Sequence, residues 1–208
     1  MANATNRIAI LSGGIGASET FRRSGLVPVA WLRLAAPPAL IGAVFGTGAV
    51  LMVGDLAFQR ILSVVLVLAA GWVFWNPIRP PDEGGHFPPT GAASWTSRAG
   101  FFLVGVYGGF IQAGVGFIVL TITSANGLDL IRGNAIKAPL VFLFTLVTVV
   151  LFTYSGMINW GMGLALATGQ VLGATLGVRL QILKGQEWVR HVLTLIILAC
   201  AVRLMVMG

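Results

Sequence analysis

Residues 99–128 read AGFFLVGVYGGFIQAGVGFIVLTITSANGL, and not one of these side chains is charged. A bilayer span needs about 20 mostly apolar residues, and this stretch exceeds that. The same reading extends outward. Residues 27–53 are interrupted only by Arg33, and residues 56–76 carry Arg60 near one end. Residues 138–178 are uncharged and twice as long as a span, so they break naturally at Tyr154–Asn159. This gives two helices, 134–154 and 158–180, followed by a last span at 188–207. The stretch 4–21 is a weaker candidate, because it holds Gly13, Gly14, Gly16 and Glu19.

Composition supports the same class. Of 208 residues, 57% are apolar and 9% charged, and the mean hydropathy is +0.92. Soluble domains carry about 25% charged residues, so most of this surface must face lipid. The net charge of +7 sits at the ends of apolar stretches, where arginines anchor helices at the headgroups, and no nucleic-acid partner is expected. Cys200 is the single cysteine and reads as packing, since one thiol makes neither an internal disulfide nor a zinc site. The proline-rich segment 77–97, with Asp82, Glu83 and His86, reads as an exposed linker. It separates residues 1–76 from residues 98–208. No phosphate-binding loop, nucleophile elbow or metal-ligand cluster is visible. Neither an enzyme nor a cofactor is therefore expected.

The two halves match at a single offset of 131 residues, without gaps. Asn3-Ala4 pairs with Asn134-Ala135, and Ser24-Gly25 pairs with Ser155-Gly156. Gly42-Ala43 pairs with Gly173-Ala174, Gly46 with Gly177 and Gly54 with Gly185. Duplicated halves are common in secondary transporters, whose substrate sites lie at the repeat interface. Residues 98–133 have no counterpart before Asn3 in this sequence, so the expected fold is an all-α multi-pass transmembrane bundle of two repeats, the first incomplete. An N-terminal truncation is one expected explanation. If all seven stretches cross, Arg7, Arg60, Arg132, Lys137 and Arg179 share one side. Arg22, Arg23, Arg79 and Arg98 share the other, and the bias slightly favours a cytoplasmic N-terminus.

The candidate site is the glycine-rich core of the opening stretch. Residues 105–116 hold five glycines in twelve positions, and each destabilises a helix by up to about 1 kcal/mol relative to alanine. One reading is a broken helix around Gly108, Gly109, Gly114 and Gly116, whose free N–H groups and end dipole hold a small anion. The other is a smooth helix–helix contact. Gln112 is the polar side chain in that element. Asn134 and Lys137 open the next span one turn apart, with Asn3 and Arg7 as their approximate counterparts in the first half. Glu19 is the one acid well inside a candidate span, which makes it a candidate proton relay.

Taken in order, these motifs resemble the TauE/SafE family of sulfite exporters and related permeases. The carrying residues are 105–116, Gly133–Lys137, Ser155–Trp160 and Gly169–Ala174 with Gly177. In the first half they are Asn3–Arg7, Phe21–Gly25 and Pro37-Pro38 through Gly46. The resemblance implies two glycine-rich helical repeats in the bacterial cytoplasmic membrane. It also implies transport of a small anion such as sulfite or a sulfonate by alternating access, driven by a coupling ion or by the substrate's own gradient. The expected partners are the lipid bilayer and the anion, with a homo-oligomer left open. The rival expectation is a non-transporting accessory or scaffold protein, or an inactive relic.

Overall fold

The computed structural model describes residues 1–75, 91–180 and 182–183. Among them are helices and no strand, as the absence of alternating apolar and polar patterning requires. The helices are α1 (Ala2–Arg23), α2 (Val29–Leu51), α3 (Asp55–Trp75), α4 (Gly91–Phe110), α5 (Val115–Ala125), α6 (Leu130–Tyr154) and α7 (Trp160–Leu180). Helices α2, α6 and α7 are long and apolar enough to cross a membrane. The span expected at 188–207 lies outside the described residues, as does most of the expected linker. α4 begins at Gly91, inside the stretch read as linker, and not at residue 98.

The opening stretch does not form one span. It folds into α4 and α5 around a break at Ile111–Gly114. α5 has 11 residues, about 16 Å of helix, which is half of a hydrocarbon core of about 30 Å. The two helices run antiparallel: Gly100 of α4 faces Ile122 near the end of α5, and Gly108 faces Val115 at its start. The element is therefore a helical hairpin, with both arms on one side of its tip. This overturns the even alternation of sides assumed for seven crossings.

α1 runs antiparallel to α6, because Gly14 lies on Phe142 while Arg7 stacks over the ring of Phe152 at 5.8 Å. α1 runs parallel to α7. The backbone N–H of Asn159 donates to Thr5 Oγ1 at 3.0 Å, and further along Gly13 meets Gln170 and Gly16 meets Thr175. The ends of α1 and α7 thus share a membrane face. Arg22, Arg23 and Arg179 sit together there, not on opposite sides.

The hairpin is anchored by small residues. α4 lies parallel to α2, with Gly105 against Ala39 and Gly109 against Ala43. A Cβ on Gly105 would stand 2.1 Å from the Ala39 carbonyl oxygen, and one on Gly46 would stand 2.0 Å from that of Val106. Only glycine allows the two backbones to meet so closely, and this contact replaces the hydrophobic drive that lipid removes. Around it, Trp31, Phe101, Leu140 and Phe144 form a fully buried core shared by α2, α4 and α6.

Helix boundaries follow the 131-residue offset. α1 ends at Arg23 and α6 at Tyr154, while α2 begins at Val29 and α7 at Trp160. The connecting turns use the same bonds. Ser24, Gly25 and Leu26 donate to Thr20, Arg22 and Phe21; Ser155, Gly156 and Met157 donate to Leu151, Thr153 and Phe152. Gly25 and Gly156 adopt φ of 67° and 64°, as a helix C-terminal turn of this kind requires.

Candidate functional site

The tip of the hairpin is where the chain's polar groups converge inside the membrane bundle. Gly114 caps α5 at φ 72°, and Gln112 takes φ 67°, the one non-glycine residue with positive φ among the described residues. An L-residue in the left-handed region costs about 1–2 kcal/mol, so the surroundings of Gln112 must hold it there. They do so through both ends of its amide. The side-chain oxygen accepts from Arg7, and Nε2 donates to Thr145 Oγ1 of α6 at 2.7 Å.

Arg7 is fully buried. It donates to the carbonyl oxygens of Gly108 and Gly109 as well as to Gln112, while its Nε has no partner. Asn3 Nδ2 donates to the Phe110 carbonyl at 3.1 Å. These carbonyls are the last of α4 and have no acceptor duty inside the helix. One turn of α1 therefore caps the negative end of α4 with a cation and an amide. The hydroxyl of Tyr107 donates to the Ala113 carbonyl and closes the tip from the other side.

At the start of α5 the geometry is complementary. The helix opens at Gly114; the N–H groups of Val115 and Phe117 donate to the carbonyls of Gln112 and Gly114, and that of Gly116 lies between them. Lys137 of α6 lies over it. A Cβ on Gly116 would come within 3.0 Å of Lys137 Cδ and 3.6 Å of Nζ, so the glycine is what admits the lysine. Lys137 is half-buried, and among the described residues no hydrogen bond or ion pair engages its ammonium group. Lys137 and Thr145 are two turns apart, about 12 Å along α6, so both ends of the tip rest on one helix.

Of the residues singled out from the sequence, the structure brings Asn3, Arg7, Gly108, Gly109 and Gln112 together, and sets Gly114, Gly116 and Lys137 beside them. Asn134 stands apart, its amide donating back to the Leu130 carbonyl at 2.9 Å. Glu19 is no intramembrane relay. Its carboxylate accepts from Arg22 at 2.7 and 2.8 Å and from Arg23 at 2.6 Å on the exposed end of α1. Sequence reasoning missed Thr145, one of several threonines in an apolar helix, and Tyr107. Both became meaningful only once the hairpin was folded. Among the described residues no cluster of His, Cys, Asp or Glu could hold a metal ion.

The family model for the sulfite exporter TauE/SafE matches residues 1–204. The chain belongs to this family. TauE/SafE membership places it among membrane transporters. It is 26% identical over 199 residues to a "Probable membrane transporter protein" of Haemophilus influenzae, covering 91% of this chain and 74% of that one. It is 27% identical over 194 residues to a similarly titled protein of Escherichia coli strain K12, covering 93% and 71%. A relative from Sinorhizobium is 27% identical over 205 residues, covering 97% and 76%. No solved structure matches the chain.

Proposed function

We propose that this TauE/SafE chain carries a small anion, of the sulfite or sulfonate class, across the bacterial cytoplasmic membrane, with the hairpin tip as the binding site. One observation carries the reading: two cations, Arg7 and Lys137, meet the tip, and among the described residues no carboxylate meets them there. The acids among the described residues are elsewhere. Glu19 pairs with arginines at the end of α1, Asp55 opens α3 and Asp129 caps α6. A buried charge is costly unless it is matched. Carbonyls match Arg7, and an anion at the first turn of α5 would match Lys137.

The roles divide accordingly. Lys137 and the N–H of Gly116 contact the substrate. Arg7 and Asn3 hold the end of α4, and Gln112 couples the tip to α6. The antiparallel packing of α1 on α6, with matched turns at one offset, fits inverted halves rocking about a central site, which is alternating access. The driving force is an ion gradient or the anion's own gradient.

The test is flux of radiolabelled sulfite and of a sulfonate into proteoliposomes bearing the purified chain. Saturable uptake above empty liposomes, lost in Lys137→Met, supports the reading. Uptake no greater than in empty liposomes for every anion tried sinks it and favours an accessory role.

A further inference from the structure

A second charged locus lies away from the hairpin, where α1 and α7 end on the same membrane face. A cleft of about 540 Å³ opens there, lined by Ile15, Glu19 and Arg23 of α1 and by Arg179, Ile182 and Leu183 beyond it. We propose that this cleft binds the phosphate of an anionic phospholipid, with the acyl chains lying along its apolar wall.

The charge count comes first. Glu19 is the one acid of the cleft among the described residues, and Arg22 and Arg23 already occupy it, through Nε and a terminal nitrogen of Arg22 and the Nε of Arg23. Three arginines against one glutamate leave two positive charges in excess. The terminal amino groups of Arg23 have no acceptor among the described residues, and neither does the guanidinium of Arg179. Two planar forks facing one cavity suit an oxyanion that accepts several bonds at once. Two of the three hydroxyls lining the cleft, those of Thr20 and Ser24, cannot take that part, and Thr175 carries no charge. Thr20 and Ser24 spend their protons on the carbonyls of Gly16 and Thr20.

The apolar wall decides between a lipid and a free anion. Ile15 is 56% and Leu183 80% exposed, beside the arginines and at the end of an apolar spanning helix. That juxtaposition fits a headgroup with hydrocarbon attached, at the depth where basic side chains meet anionic lipid. A free phosphate would leave these side chains uncovered.

The experiment measures thermal unfolding of the purified full chain in detergent with added phosphatidylglycerol, phosphatidylcholine of the same acyl chains, or inorganic phosphate. Phosphatidylglycerol is expected to raise the midpoint. The other two should not, and the double variant Arg23→Gln, Arg179→Gln should lose most of the rise. An equal rise with phosphatidylcholine, an equal rise with inorganic phosphate, or a rise kept in the double variant each overturns the proposal. If the double variant does not fold, a photoactivatable phosphatidylglycerol decides on the unaltered chain. Label on residues 15–24 or 175–183 upholds the site, and label confined elsewhere removes it.

Discussion

Replacing Arg7 with methionine tests whether α1 holds the hairpin tip in place. Methionine keeps most of the volume, and removes three donated bonds together with the guanidinium that lies over Phe152. Buried hydrogen bonds from a charged donor contribute about 1.5–3 kcal/mol each, so the gross loss is about 5–9 kcal/mol. Removing the cation also relieves the several kcal/mol that its desolvation costs. The net destabilisation should be about 2–4 kcal/mol, of the order seen when one side of a buried polar pairing is deleted. The assay is reversible unfolding in mixed micelles, with Arg7→Lys alongside. Lysine restores charge without the planar fork and should recover less than half of the loss. An Arg7→Met variant within about 0.5 kcal/mol of the unaltered chain would refute the capping argument, since the carbonyls of Gly108 and Gly109 would then need no donor.

Three further outcomes rest on the same helix contacts. Gly46→Ala sets a Cβ 2.0 Å from the Val106 carbonyl, whereas Gly48→Ala, two residues on, meets nothing within 4 Å. The first should lose at least about 1–3 kcal/mol by forcing α2 and α4 apart, and the second should be neutral or gain up to about 1 kcal/mol, both by micelle unfolding. Lys137→Met should fold with an unchanged midpoint and lose anion flux by tenfold or more, about 1.4 kcal/mol in binding; unchanged flux would move the site elsewhere. Asp129→Ala removes the carboxylate that accepts from the Arg132 N–H at 2.8 Å and should cost about 1 kcal/mol, read by thermal unfolding.

How much of this was legible in the sequence follows from what each signal depends on. Span positions depend on local apolarity, so α2, α6 and α7 fell within a few residues of expectation. Glycine density marked the break at 111–114, because backbone cost is also local. The direction of α5 after the break was not legible. An uncharged stretch of sufficient length reads as one crossing, and only the short span from Val115 to Ala125, packed back on Gly100 and Gly108, shows that it returns. Arg7 was visible as a charge but not as a cap, since its partners lie about a hundred positions away. Glu19 misled for the converse reason. It lies in an apolar stretch, yet its partners are three and four residues on, and they pull it to the surface.

The two cations of the tip also bear on how the site works. At the 131-residue offset Lys137 falls on Asn6 and Arg7 falls on Ala138, so the charges occupy neighbouring positions on corresponding helices. Those helices run antiparallel, so Arg7 and Lys137 reach the tip from opposite ends of the bundle. One is committed to the carbonyls of α4 and the other is left open beside Gly116. A symmetric pair of free cations would hold an anion equally from both ends and release it from neither. In the site proposed above, one charge spent on structure and one available would bind an anion strongly enough to admit it and weakly enough to let it leave, which a carrier requires. The substitution Gln112→Leu removes one acceptor of Arg7 and leaves the carbonyls of Gly108 and Gly109, so no second free cation arises and anion affinity should not tighten; a Gln112→Leu variant that binds the anion more tightly would contradict this division of labour.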